Sequence, residues 1–145
     1  MAVQNQALDR SGSRGLVFLA VGDLASFLLF SAIGRLSHGK GAGIEDLGPL
    51  LANAVPFAAS WLVSATVLGA YRNDLLVQPR SLLARTLLAW AVALFPGVVL
   101  RMLILRDAFP ALSFAVTTFL FIGVFLVGWR LVFSWLWGRG ARNGN

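Results

Sequence analysis

Four long apolar runs, separated by short stretches rich in glycine, proline and charge, lay out the chain. The first, Leu16 to Leu36, is apolar except for Asp23, a few small polar side chains and Arg35 at its end. At about 1.5 Å per residue it reaches roughly 30 Å, the thickness of a bilayer's hydrocarbon core. Comparable runs predict helices over 49–71, 82–105 and 111–137. The expected fold class is therefore all-α, an integral membrane bundle of four transmembrane helices over 15–138. Polar tails at 1–14 and 139–145 flank it, and the first is expected to be a mobile tail.

The connections carry turn chemistry. SHGKGAGIEDLG is a glycine-rich loop, and Gly48-Pro49 suits a helix start because proline is tolerated at the first helical position. RNDLLVQPRS joins the second and third helices, with Ser81 in position to cap the third. RDAFP is a tight connection in which Asp107 can cap the fourth helix and Pro110 falls just inside it.

Within the runs, spacing assigns faces. Asp23, Phe27, Phe30 and Gly34 share one stripe at helical spacing, and Gly22 with Ser26 makes a small-xxx-small step that admits a close neighbour. Ala54, Ala58, Ala65 and Gly69 form a small-residue seam around Trp61, which is too deep for an interfacial belt and fills a gap in the bundle. Trp90, Leu94, Gly97 and Arg101 share a face of the third helix, where Pro96-Gly97 invites a kink. Gly123, Val127, Arg130 and Ser134 share a face of the fourth. Gly22, Gly34, Trp61, Gly97, Gly123 and Trp129 are the expected helix-packing positions, and Trp129, Trp135 and Trp137 form an aromatic belt at the far end.

Composition agrees. Of 145 residues, 58% are hydrophobic and 12% charged, against about 25% charged in a soluble domain. Mean hydropathy is +0.78. Net charge of +6 does not point to nucleic acid, because orientation rules place basic residues in cytoplasmic loops. The absence of cysteine excludes disulfides, thiol catalysis and thiolate metal sites, and a single histidine excludes bis-histidine haem ligation. No cofactor or metal is expected. Leu16 to Ile33 exceeds the usual signal-peptide core of about 7–15 residues and lacks a small-x-small cleavage site, so it reads as a retained helix.

With four spans, Arg10, Arg14, Arg72, Arg80, Arg85, Arg139 and Arg142 share one side with both tails, while Arg35, Lys40 and Arg106 face the other. This bias predicts both termini in the cytoplasm of a cell whose inner (plasma) membrane holds the protein.

Depth then pairs two charges. Asp23 lies seven residues beyond Leu16 and Arg130 seven before Trp137, so each sits roughly 10 Å inside the same boundary. Opposite charges at one depth in a poorly solvated medium should pair, and arginine can do so bidentately. The preferred reading is a clamp between the first and fourth helices; a proton or ion relay is the functional alternative. On the opposite face Arg35, His38 and Arg101 could contact an anion or lipid headgroup. Against that, Glu45, Asp46 and Asp107 on the same side offer local neutralisation.

GDLASFLLFSAIGRLSHG, PFAASW in the second helix, GVVLRML in the third and GWRLV in the fourth together resemble one family, the small membrane proteins grouped as domain of unknown function 3054. The resemblance runs from about Gly22 to Val132 and implies a compact bundle of about four membrane helices. It draws attention to Asp23, Gly34, Arg35, His38, Trp61, Arg101 and Arg130 as positions matching the family's pattern. It implies no activity.

No GxSxG, HExxH or phosphate-binding GxxxxGK[ST] motif occurs, so an enzyme is not expected, and one acting on lipid ranks last. The expected function is that of a non-enzymatic accessory, assembly or scaffold protein. The alternative is a small oligomeric transporter or channel using Asp23 and Arg130, or one binding an anionic ligand near Arg101. The expected partners are the lipid bilayer and either a membrane protein complex or further copies of the chain, with no nucleic acid.

Overall fold

The computed structural model describes residues 2–106, 108 and 112–143. Its long helices are α1 (Ala2–Ser37), α2 (Leu47–Val67), α3 (Pro79–Leu105) and α4 (Leu112–Asn143). Each packs on its neighbours in sequence, and α4 closes back on α1, the arrangement that short connections between long helices impose. Ser13–Ser37, Ile44–Val67 (α2 with the 3₁₀ turn that leads into it), Pro79–Leu105 and Leu112–Arg139 are long and apolar enough to cross a bilayer. The chain is a multi-pass integral membrane protein.

Helix limits differ from the expected ones for local reasons. α1 begins at Ala2 rather than Leu16, since extending an existing helix needs no new nucleus and no proline stands in the way. The same economy carries α4 to Asn143. α2 begins at Leu47, with Pro49 still in the first turn, where its missing N–H is one of the unpaired donors anyway. α3 begins at Pro79 rather than being capped by Ser81; Gln78 holds the cap position and its carbonyl accepts from Leu82 N at 2.9 Å. The expected roles of Asp107 and Pro110 fall outside the described residues.

Two glycines end helices. At Gly69, φ is +68°, Gly69 N donates to Thr66 O and Ala70 N donates to Ala65 O. Gly39, also at φ +68°, closes α1 the same way, with Gly39 N on Leu36 O and Lys40 N on Arg35 O. These are the paired bonds of a left-handed helix terminus. Gly69 thus ends α2 short of the expected limit at Tyr71.

The centre of the bundle is aromatic. Phe27, Phe57, Trp61 and Trp90 are buried together with Ile122 and Leu126. The Phe27 and Trp90 rings meet edge-on at 5.7 Å. α3 continues through Pro96, whose ring deprives the Val92 carbonyl of its helical donor. Beside it, the buried Ser60 hydroxyl donates to the next carbonyl, Ala93 O, at 2.6 Å and ties α2 to α3 at the proline.

The connection after α2 does not stay on the surface. A 3₁₀ segment, Asn73–Val77, turns Leu75 and Leu76 inward against Leu19, Leu82 and Phe133. Ser134 Oγ donates to Leu76 O at 3.1 Å. Burying a leucine from water contributes about 1.5–3 kcal/mol, enough to hold the segment across the end of the bundle. At its exposed tip, a hydrogen bond from Arg72 holds the Asp74 carboxyl below its ordinary value.

Candidate functional site

Below that cap lies the intramembrane charge pair. Asp23 comes from α1 and Arg130 from α4, and both side chains are fully buried. Arg130 Nε donates to Asp23 Oδ1 at 3.0 Å and Nη2 to Oδ2 at 2.6 Å, the bidentate fork that suits guanidinium to carboxylate. The pair is set among groups from the other two helices. Trp61 Nε1, from α2, donates to Asp23 Oδ2 at 3.2 Å and to Tyr71 Oη at 3.0 Å. Arg130 Nη1 donates to Thr86 Oγ1 of α3 at 3.2 Å and to the Ala70 carbonyl at 3.1 Å.

Tyr71 completes the shell, its hydroxyl donating to Asp23 Oδ2 at 2.5 Å. Burial, and then the neighbouring Asp23 carboxylate, push the Tyr71 phenol above its ordinary value. The Arg130 guanidinium carbon also stands 4.9 Å from the ring centroids of both Trp61 and Tyr71, within cation–π range. The desolvation cost of a buried ion pair is offset only when its remaining hydrogen-bonding capacity is satisfied. Here Asp23 accepts four bonds, and four helices are joined through one carboxylate and one guanidinium.

Tyr71, Thr86 and the Ala70 carbonyl are not singled out by spacing or depth. Tyr71 is the only tyrosine in the chain, and Thr86 is a polar residue in an apolar run; those are the available signals. Neither indicates a partner, because Tyr71 reaches Asp23 only after Gly69 has turned the chain.

Packing positions divide sharply. At Gly22 an added methyl would lie 1.8 Å from Trp129 Cε2, and Trp129 Nε1 uses the open space to donate to the Leu19 carbonyl at 3.1 Å. Trp129 is therefore turned against α1. At Gly97 a methyl would meet Phe57 Cδ1 at 2.7 Å. Gly123 leaves ordinary contact distance to Trp90, 3.6 Å, whose Nε1 donates to Phe119 O. Gly34 is the exception: a methyl there would meet nothing within 4 Å, so it is not a close-packing position. The neighbouring contact to α2 is made by Ser31, whose hydroxyl donates to Leu50 O at 2.9 Å.

The residues expected at the opposite face have separate partners. Arg35 donates to Asp46 Oδ1 at 2.6 Å and to Gly41 O at 2.8 Å, stapling the loop to the end of α1. Arg101 Nε donates to Asn53 Oδ1 at 3.3 Å, and its guanidinium lies 4.9 Å from the Phe114 ring centroid. His38 is exposed, with its backbone N–H on Arg35 O.

A family model described as protein of unknown function (DUF3054) matches residues 20–133. The chain belongs to that family. The matched span of this DUF3054 member includes Asp23, Trp61, Tyr71, Thr86 and Arg130, and leaves out the ends of α1 and α4. No curated protein and no solved structure matches the chain.

Proposed function

We propose that the protein is a non-enzymatic accessory or assembly component of the inner (plasma) membrane, with both termini in the cytoplasm. The observation that carries this reading is the enclosure of Asp23, whose carboxylate accepts four hydrogen bonds, three at Oδ2 and one at Oδ1, while both it and Arg130 are fully buried. A relay group needs a site that a proton or ion can enter and leave; a clamp needs its two charges enclosed and held by fixed partners. The bundle centre, filled by Phe27, Phe57, Trp61 and Trp90, also favours a packing role over conduction through one chain. The excess of arginines on the side of the tails supports the orientation.

Purification of the full chain in mild detergent tests the reading. A foreign membrane protein retained in stoichiometric amount is the expected result. A bare homo-oligomer that passes ions or protons in vesicles, and stops doing so when Asp23 is replaced, would sink it in favour of a small transporter.

A further inference from the structure

A cleft of about 560 Å³ opens on the outside of the bundle between α1 and α4. Its lining includes Gly22, Ala25 and Gly128, which carry little or no side chain, and Phe18 and Phe125. Gly128 shows how open it is, since a methyl there would meet nothing within 4 Å. In a bilayer such a space is filled, and the charges at its end indicate by what.

Arg14 is four residues before Phe18 and eleven before Ala25, and Arg139 is eleven after Gly128. At 3.6 residues per turn, an eleven-residue step returns to within about 20° of the same face. Both arginines therefore cap the stripes that line the cleft. Two close approaches give the relative heights of the helices: Gly22 lies against Trp129, and Gly15 against Trp137. Arg14, next to Gly15, is thus level with the start of the Arg139 turn. Both fall at the ends of the apolar spans, and the Arg139 guanidinium is held 3.8 Å from the centroid of the exposed Trp135 ring.

From Arg14 to Gly22 is about 12 Å and from Gly128 to Arg139 about 16 Å along the helices. One leaflet of a hydrocarbon core of roughly 30 Å has the same depth. We infer that the α1–α4 cleft binds an anionic phospholipid, one acyl chain lying along Gly22, Ala25 and Gly128 and the phosphate held between Arg14 and Arg139. A second copy of the chain is a poor occupant. A two-fold contact through this face would bring four arginines of the two copies to one level, whereas a phosphate is what arginine recognises there.

The test uses the full chain released from nanodiscs containing equal amounts of phosphatidylglycerol and phosphatidylcholine, read by native mass spectrometry. Wild type should retain phosphatidylglycerol in preference. The preference should fall roughly fivefold for each of Arg14→Gln and Arg139→Gln, and roughly 25-fold for both. Arg80→Gln, away from the cleft, should leave it unchanged. Gly128→Leu, which puts a side chain into the cleft where an added methyl meets nothing within 4 Å, should lower retention by a comparable factor with both arginines intact. Equal retention of the two lipids overturns the site. So does retention indifferent to Gly128→Leu, which would be charge attraction at the surface, or a dimer that Gly128→Leu dissociates.

Discussion

The Tyr71 hydroxyl lies 2.5 Å from Asp23 Oδ2, so the carboxylate inside the membrane is closed off by a residue of a connection rather than of a helix. Tyr71 and the Ala70 carbonyl both turn inward just past Gly69, where φ of +68° ends α2. The cap and the ion pair are in this way one structure. Arg130 binds Asp23 through Nε and Nη2 and holds the cap through Ala70 O.

That contact has an optical signature. Tyr71 is the sole tyrosine, and its phenol is pushed above the ordinary value of 10.0 by burial and then by Asp23. A raised phenol binds its proton more tightly folded than unfolded, so the stabilisation is complete below the unfolded value and declines as pH rises above it. Phenolate absorbance should therefore stay absent in the folded protein at pH 10 to 11, roughly the ordinary tyrosine range. It should appear on denaturation at the same pH. A folded protein that ionises normally near pH 10 would show the contact to be wrong.

Removing either member of the pair strands the other charge. Asp23→Asn and Arg130→Gln are each expected to lose about 3–5 kcal/mol of stability. The double replacement should recover part of that loss, and the coupling is what a double-mutant cycle isolates. Strictly additive losses, measured by reversible unfolding in detergent, would mean that the two groups stabilise the bundle independently.

The glycines give a paired test. Gly22→Ala places a methyl against the Trp129 indole, which must shift and release the Leu19 carbonyl. Overpacking of that kind costs about 1–3 kcal/mol. Gly34→Ala meets nothing within 4 Å and gains about 0.5–1 kcal/mol from the helix preference of alanine. Thermal unfolding of the two variants should move in opposite directions.

Among the described residues, Thr118 Oγ1 is a buried side-chain atom without a hydrogen-bond partner. Thr118→Val keeps the shape and removes the unpaired hydroxyl, so a gain of about 1 kcal/mol is expected. A loss in the same unfolding assay would reveal a partner for that hydroxyl.

The four spans are legible in sequence because runs of this length and composition have few other stable fates. Depth is legible too, since residue counts from each boundary convert directly into height, and this is what brings Asp23 and Arg130 to one level. Gly69 shows where the reasoning stops. Its place on the small-residue stripe of α2 is a matter of spacing, but whether such a glycine packs or terminates depends on φ. With that angle unknown, Tyr71 stays a helix residue, and neither its bond to Asp23 nor the inward turn of Leu75 and Leu76 can be foreseen. Gly34 fails in the converse way: it is on the right stripe, at a height where no neighbouring atom comes within 4 Å of an added methyl.

The inward-turned connection makes topology and fold testable together. The chain contains no cysteine, so single introduced thiols report without background. On the proposed orientation, which rests on the arginine bias, cysteines at Asn5, Asn73 and Asn143 should resist an impermeant thiol reagent in intact cells. One at Gly41 should react at once. After permeabilisation Asn73→Cys should become reactive, since Asn73 is exposed at the start of the 3₁₀ segment. Leu76→Cys, three residues on, should stay protected, because Leu76 is 2% exposed beneath that tip. Its protection should be lost on replacing Arg130, which holds the Ala70 carbonyl, if the ion pair anchors the cap. Reactivity at Asn73 with protection at Gly41 in intact cells would reverse the orientation. Equal reactivity of Asn73→Cys and Leu76→Cys after permeabilisation would mean that the connection lies open on the surface, leaving Asp23 within reach of water.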